Sequence, residues 1–551
     1  LQDAERSLLR TLLIAVVVAA LVALPFWWRD KNDLTGPVVF PTGDHAAGDV
    51  VSVRCPFPTR RDPGLTCYRI YVPQLWGDAT SRLISFMAVV VEPIGGATRD
   101  DPFLYLEGGP GYAGIPATRE DWGRNGWVRD NYGALLGTGR ALIFVDTRGL
   151  GLSEPNLRCP KAEEAAWQAL KKRHDPDEPF DLSDDQACFE AIRQAGVDFL
   201  GYNSEEVGQD LRALRLGLGI EKWNAYGISY GAQTLLHLLE ADAGGVRSAI
   251  FDSPSYGRAT AFPDDQAAFD RIIDQMEGRC ESNGFGKYLL APVDFMAGLD
   301  NPQNCKNIKN NLRTLLSRLK EDPIALRGQP FGTPVYLTDR EAMLVFHSEL
   351  YTSSGQSDML SSMAEMQAQG RGYLASLSDW SMYWRDVLYW AYLDKAYSTV
   401  VHYATACREM DFSVGAPASD WPVYLPKEEQ YQRDICALLD VPYKGRTLKG
   451  LSFTEVPAIV LSGDRDVITP PSYGAALAQD MYGAHLTSAE ASHGLLFWHY
   501  DECMREKALA FLDDPATEPD ISTCTCAPSQ AKDSPFACEI ELTPTDITPE
   551  G

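Results

Sequence analysis

The sequence predicts an α/β fold: a mostly parallel sheet, a helical insertion that interrupts it, and one N-terminal transmembrane helix. Three observations predict this. Continuous apolar runs of strand length alternate with amphipathic helical patterns, as in a sheet buried on both faces by crossover helices. The strand signal stops after about residue 258, gives way to helix-like, aromatic-rich sequence, and resumes only at AIVLSG, residues 458–463. Residues 11–28, TLLIAVVVAALVALPFWW, carry no charge.

At ~1.5 Å per helical residue that first stretch reaches about 27 Å, close to the hydrocarbon thickness of a bilayer. Trp27 and Trp28 stand at its end as an interfacial aromatic pair, while Arg6, Arg10, Arg29 and Lys31 flank both sides, so positive charge alone does not orient it. An uncleaved anchor is expected. The alternative is a cleavable signal peptide, for which Ala19, Ala20 and Ala23 supply small residues. A Gly-, Pro- and Asp-rich tether follows to about Val50.

Strands are then predicted at YRIYV (68–72), LISFMAVVV (83–91), FLYL (103–106), ALIFVD (141–146), WNAYG (223–227), SAIFD (248–252) and AIVLSG (458–463). Between them, NSEEVGQDLRALRLGLGI from Asn203 opens on a capping residue and acids and continues with three- and four-residue apolar spacing, a helix with its start signal. These signals divide the chain into an anchor and tether (1–40), a first core part (41–259), a helical cap (260–445), a second core part (446–514) and a cysteine-containing tail (515–551). In the cap, WSMYWRDVLYWAYLDKAY (380–397) carries aromatics at nearly helical spacing, a stripe that packs against the core or lines an apolar pocket.

The net charge of -27 repels phosphate backbones and excludes a nucleic-acid partner. The 12 cysteines have no zinc-ligand spacing, and no nucleotide loop occurs in the right context, so neither metal nor cofactor is implied. Consecutive cysteines fall into pairs with short separations: Cys55 with Cys67, Cys159 with Cys188, Cys280 with Cys305, Cys407 with Cys436. Cys503, Cys524, Cys526 and Cys538 stay unassigned. Disulfides persist in oxidising compartments, so the chain after Trp28 is expected in a periplasm or extracellular space.

AYGISYGAQT, residues 225–234, places Ser229 between two glycines, with strand WNAY before it and an apolar helix pattern after it. A sharp strand-to-helix turn would lift the hydroxyl to the carboxyl edge of the sheet and bring chain so close to Gly227 and Gly231 that a Cβ would clash. Such a turn resembles the nucleophile elbow of α/β-hydrolases. A serine alcohol needs a base, and the base a carboxylate to hold its tautomer. Asp466 follows strand 458–463 in the loop GDRD, with Asp464 as competitor, and His493 follows a further short strand in SHG. His237, His485 and His499 fall in helix, strand and amphipathic positions of structural character. The loop EGGPGYAG (107–114), straight after FLYL, is suited to oxyanion stabilisation, with the backbone N–H groups of Gly109 and Tyr230 as donors.

GGPG (108–111), DTRGLGLS (146–153), YGISYGAQT around Ser229, GDRDVITP (463–470) and SHG (492–494), in this order over most of residues 103–497, resemble the proline iminopeptidase and tripeptidyl aminopeptidase family of α/β-hydrolases. Glu107, where proline iminopeptidases often carry His, is more similar to the tripeptidyl branch. The resemblance implies release of amino acids or short peptides from free N-termini through an acyl-enzyme on Ser229, beneath a cap whose acids bind the substrate's ammonium. TACREMDF offers Glu409 for that role, similar to a C-x-E element of the tripeptidyl branch. Two alternatives stand beside this expectation: an esterase or other acyl hydrolase on the same fold, and a hydrolase-like ectodomain serving as partner in a membrane assembly.

Overall fold

The computed structural model describes residues 38–57, 64–93, 95–116, 127–172, 180–256, 260–283, 307–326, 333–352, 355–369, 379–445, 456–481, 483–488, 491–497 and 502–517. The expected membrane segment, Cys305 and the tail cysteines lie outside these residues. Among the described residues no helix is long and apolar enough to cross a membrane.

Nine strands form one sheet: β1 (Val50–Val53), β2 (Leu65–Pro73), β3 (Leu83–Val91), β4 (Phe103–Leu106), β5 (Leu142–Asp146), β6 (Trp223–Ile228), β7 (Val246–Asp252), then, after the cap, β10 (Ala458–Gly463) and β11 (Ala484–Ser488). Their spatial order is β1-β2-β3-β5-β4-β6-β7-β10-β11. From β5 to β11 every neighbouring pair is parallel, whereas β1, β2 and β3 form an antiparallel flank joined to β5. Seven of the strands coincide with the apolar runs of the sequence to within a few residues; β1, with three half-buried residues and an exposed Ser52, carried no such run.

The continuity of those runs follows from burial on both faces. In β4, Leu104 and Leu106 point into a core with Leu211 and Leu214 of helix Ser204–Gly217 and Leu235 of helix Gly231–Asp242. Phe103 and Tyr105 point the other way, into a core with Val128 and Tyr132 of helix Trp127–Leu136 and Phe511 of helix Glu502–Asp513. Helix Ser204–Gly217 starts where its capping signal predicts: the Asn203 side chain accepts from the Glu206 N–H.

Between β7 and β10 the chain leaves the sheet and builds a mostly helical cap with its own core, in which Phe269, Leu312, Phe346 and Trp384 are buried. Two three-residue strands, β8 (Ile324–Leu326) and β9 (Val335–Leu337), pair antiparallel inside it, where the sequence indicated no strand. The aromatic stripe divides: Trp384 is buried with its indole N–H on Ser362 Oγ at 3.0 Å, whereas Tyr383 and Tyr389 are exposed.

Disulfides join Cys55–Cys67, Cys159–Cys188 and Cys407–Cys436, with Cα separations of 5.2, 5.8 and 5.4 Å. Cys503 is also disulfide-bonded. The pairing of Cys280 with Cys305 falls outside the described residues.

The DTRGLGLS segment is a structural knot at the end of β5. Asp146 accepts from the N–H groups of Ile115 and Leu152, tying two loops together, and its burial pushes the carboxyl up to about 7. Arg148, 1% exposed, grips Asp210 with two nitrogens at 2.6 and 2.8 Å and the carbonyls of Gln74 and Gly201 at 2.7 and 2.6 Å.

Candidate active site

β6 ends at Ile228, and Ser229 follows with φ 56°, in the left-handed region that a non-glycine residue adopts only under constraint from its surroundings. The constraints are visible. The Ser229 N–H donates to the Asp252 carbonyl at 2.9 Å, and its own carbonyl accepts from the N–H groups of Ala232 and Ser255. A Cβ at Gly227 would stand 2.4 Å from the Gly231 carbonyl oxygen, and one at Gly231 2.4 Å from that of Leu106, so the helix Gly231–Asp242 can start this close to the sheet only through glycine. The Ser229 side chain is left half-buried at the carboxyl edge of the parallel strands.

Asp466 follows β10. One carboxylate oxygen accepts from the N–H groups of Ile468 and Thr469, both at 2.8 Å; the other accepts from Thr469 Oγ1 at 2.7 Å and lies 2.9 Å from His493 Nδ1. The Asp464 side chain instead meets Gln275, at 3.4 Å, so the competition between the two aspartates resolves geometrically toward Asp466. With a carboxylate on Nδ1, that nitrogen carries the proton and Nε2 remains to face the serine.

Ser229 and His493 are brought to the same edge by a shared anchor that the sequence reading missed. Residues 252–255, at the carboxyl end of β7, hold the elbow through the Asp252 carbonyl and the Ser255 N–H. They also hold the histidine loop: Gly494 N–H donates to Ser253 Oγ, and Leu495 and Leu496 N–H donate to the Asp252 carboxylate, all at 2.9 Å. Tyr226 donates its hydroxyl to the same carboxylate at 2.8 Å. No hydrogen bond joins Ser229 Oγ to His493 in this structure; in unliganded hydrolases such contacts commonly tighten only on substrate binding.

Electrostatics favour an imidazole that attracts protons. Burial opposes the charged ring, but the charge and hydrogen bond of Asp466, with Asp252 and Glu107 behind them, hold the His493 pKa above its ordinary 6.5. For Asp466, burial is outweighed by His493 and Thr469, and its carboxyl stays below the usual range. Glu107 goes the other way: burial raises it, opposed by the Gly108 N–H at 2.8 Å, the Tyr105 hydroxyl at 3.0 Å and His493.

The EGGPG loop closes over the serine. A Cβ at Gly108 would lie 3.0 Å from that of Ser229 and 3.5 Å from its Oγ, so the loop backbone passes directly beside the nucleophile. The Gly108 N–H is taken by Glu107, which leaves Gly109, at φ 116°, as the next donor along the loop. Tyr230 forms the first turn of the elbow helix on the other side. A small pocket of about 40 Å³ is lined by Glu107, Gly108, Tyr202, Tyr230 and Thr405. Glu409, the expected amine-binding acid of the cap, has its carboxylate engaged by neighbouring groups of the protein. It is buried, one oxygen accepts from the Ser204 N–H at 3.0 Å, and the other accepts from the hydroxyls of Ser204 and Tyr230. Among the described residues no cluster of His, Cys, Asp and Glu could hold a metal ion.

Residues 101–277 match the family model described as alpha/beta hydrolase fold, and residues 424–524 match that described as TAP-like protein, the tripeptidyl aminopeptidase-like family. The chain is an α/β-hydrolase. The first match covers the elbow, and the second covers both Asp466 and His493 of this hydrolase. A search of curated proteins found no match. Among solved structures the hydrolase is similar to an esterase from Exiguobacterium antarcticum, at 13% identity over 79% of this chain and 96% of the other with a TM-score of 0.34. It is similar also to a thermophilic esterase from Thermogutta terrifontis, at 12% identity over 82% and 99% with a TM-score of 0.32. A bromoperoxidase from Bacillus anthracis aligns at 13% identity over 81% and 100% with a TM-score of 0.34.

Proposed function

We propose that the chain is a membrane-anchored, extracytoplasmic serine exopeptidase that releases amino acids or short peptides from free N-termini. The observation that carries the hydrolytic part is the 2.9 Å contact of Asp466 with His493 Nδ1 at the sheet edge where Ser229 sits in a left-handed turn. His493 Nε2 takes the Ser229 proton as Oγ attacks the scissile carbonyl carbon, and the Gly109 and Tyr230 N–H groups receive the oxyanion. The imidazolium then protonates the leaving amine, which departs as the carbon–nitrogen bond breaks. Water, deprotonated by the same imidazole, hydrolyses the acyl-enzyme.

The exopeptidase part is supported by the TAP-like match over residues 424–524 and by the resemblance of the five motifs. Three disulfides support an oxidising compartment, and the uncharged run 11–28 supports anchoring in a bilayer. The ectodomain would be assayed on aminoacyl and tripeptidyl arylamides, their N-blocked forms and short-chain esters. Hydrolysis of the free-amine arylamides with at least about ten-fold preference over blocked ones is expected. Turnover of blocked peptides or esters alone would reject the exopeptidase and leave an acyl hydrolase. Purification in mild detergent would show whether a membrane partner accompanies it.

A further inference from the structure

One cap helix, Thr399–Glu409, holds both walls of the oxyanion site. At its start, the Ser398 N–H donates to the Gly111 carbonyl at 2.9 Å, and one turn later His402 Nδ1 lies 2.9 Å from the Pro110 carbonyl. A carbonyl partner fixes Nδ1 as the protonated nitrogen. Just ahead of the helix, the Ala113 N–H donates to the Ala396 carbonyl at 2.8 Å, and the rings of Tyr112 and Tyr397 meet in a tilted pair with centroids 4.9 Å apart. The fit leaves no slack: a Cβ on Gly111 would stand 2.8 Å from the Ser398 carbonyl oxygen and 3.1 Å from His402 Cβ.

At the other end of the same helix, Glu409 accepts from the Tyr230 hydroxyl and ties it to the Ser204 N–H and hydroxyl. The Tyr230 ring is buried in a small cluster with Ala406, Met410 and Phe412 of this segment and Ala261 and Phe262 at the start of cap helix Ala261–Asn283. Cys407, five residues after His402, is locked by its disulfide to Cys436 in helix Pro426–Leu439. His402 and Glu409 are seven residues apart, about 10.5 Å along a helix. One grips the EGGPG loop and the other the residue after the nucleophile.

We propose that His402 and Glu409 are positioning residues that set the spacing of the Gly109 and Tyr230 N–H groups, so that the cap helix, rather than the sheet alone, determines how well the oxyanion is held. This rests on the Ser229 mechanism above. Neither side chain touches the substrate; each acts through a backbone segment. Donors displaced by about 1 Å cost on the order of 100-fold in rate while leaving ground-state binding nearly intact.

The test uses the full chain in mild detergent and compares His402→Phe, His402→Asn and Glu409→Gln. His402→Asn keeps a donor near the Nδ1 position and is the rescuing variant. The expected result for His402→Phe and Glu409→Gln is a kcat about 10–100-fold lower with KM within about two-fold, an equal loss of affinity for a peptide boronate that mimics the tetrahedral adduct, and unchanged melting of the Asn variant with most of its kcat restored. A raised KM at constant kcat for Glu409→Gln would overturn the proposal and return Glu409 to amine binding. Unchanged kcat in folded variants would overturn it too. Should wild-type Ser229 fail to react with a fluorophosphonate, the Ser229 mechanism itself fails, an outcome distinct from either.

Discussion

The carboxyl edge of the sheet and the cap that covers it contribute to the same site by different means. At the sheet edge each chemical group follows a strand within a few residues: Ser229 after β6, Asp466 after β10, His493 after β11, and the shared anchor 252–255 after β7. The strands' hydrogen-bond registers fix these positions, and short backbone contacts finish the placement. The cap reaches the site from above with side chains and carbonyls: Tyr351 O on the His493 N–H at 3.3 Å, Leu350 O on Ser492 Oγ at 2.6 Å, Arg271 on the Asp464 carbonyl at 2.8 Å, His402 on Pro110 and Glu409 on Tyr230. The segments carrying Ser229, Asp466 and His493 are therefore each held twice, once from the sheet and once from the cap. On the proposed mechanism the sheet carries the reacting groups and the cap sets their spacing.

If that division is right, the largest effect belongs to the edge. Ser229→Ala is expected to lower turnover by about 10⁴–10⁶-fold with an unchanged melting temperature, because the side chain is small and half-buried. Retained turnover in the purified variant would break the comparison outright. Second comes a contrast in stability. Arg148 in the core is enclosed by Asp210, Gln74 and Gly201, and Arg148→Ala leaves a buried carboxylate without its cation, costing about 3–5 kcal/mol in denaturant unfolding. Its counterpart in the cap, the exposed pair Arg313 with Asp420, is expected to change stability by less than about 1 kcal/mol in Arg313→Ala. Equal losses would mean that the core is no more tightly constrained than the cap.

The smallest expected effect concerns pH. His493 must be neutral to accept the serine proton, so activity rises as pH climbs through its pKa, which lies above 6.5. Glu107 contributes to that elevation. Glu107→Gln removes a negative charge from beside the imidazolium, lowers the His493 pKa and moves the acid limb of kcat/KM to lower pH, with a plateau changed less than about ten-fold. The opposite shift would show that Glu107 does not act on His493 through its charge. The stability linkage has the other direction: a histidine with a raised folded pKa stabilises the fold fully below its unfolded value and loses that contribution as pH rises through the folded one.

Much of the edge was legible because strands buried on both faces have to be written as unbroken apolar runs. FLYL, LIFVD and AIVLSG mark the strand ends at which loops can carry chemistry, and glycine marks where backbone passes too close for a Cβ, as at Gly227 and Gly231. The order serine, acid, histidine then needed only those ends. What was not legible depends on contacts across long stretches of chain. Asp252 reads as the last residue of a strand, and nothing near it announces that its carboxylate holds the backbone of residues 495 and 496. Glu409 sits beside a cysteine in an amphipathic helix, and its direction, toward Tyr230 and Ser204 rather than into an open pocket, is set by packing 205 and 179 residues away. The β8–β9 hairpin was missed because three-residue strands carry no period to detect.

The most direct test is to treat the folded protein with a fluorophosphonate and map the adduct by peptide mass spectrometry, in wild type and in His493→Gln. A single phosphonylated residue at Ser229, formed at least about 100-fold more slowly without the imidazole, is the predicted result. An adduct at another residue, or equal labelling of both proteins, would contradict it.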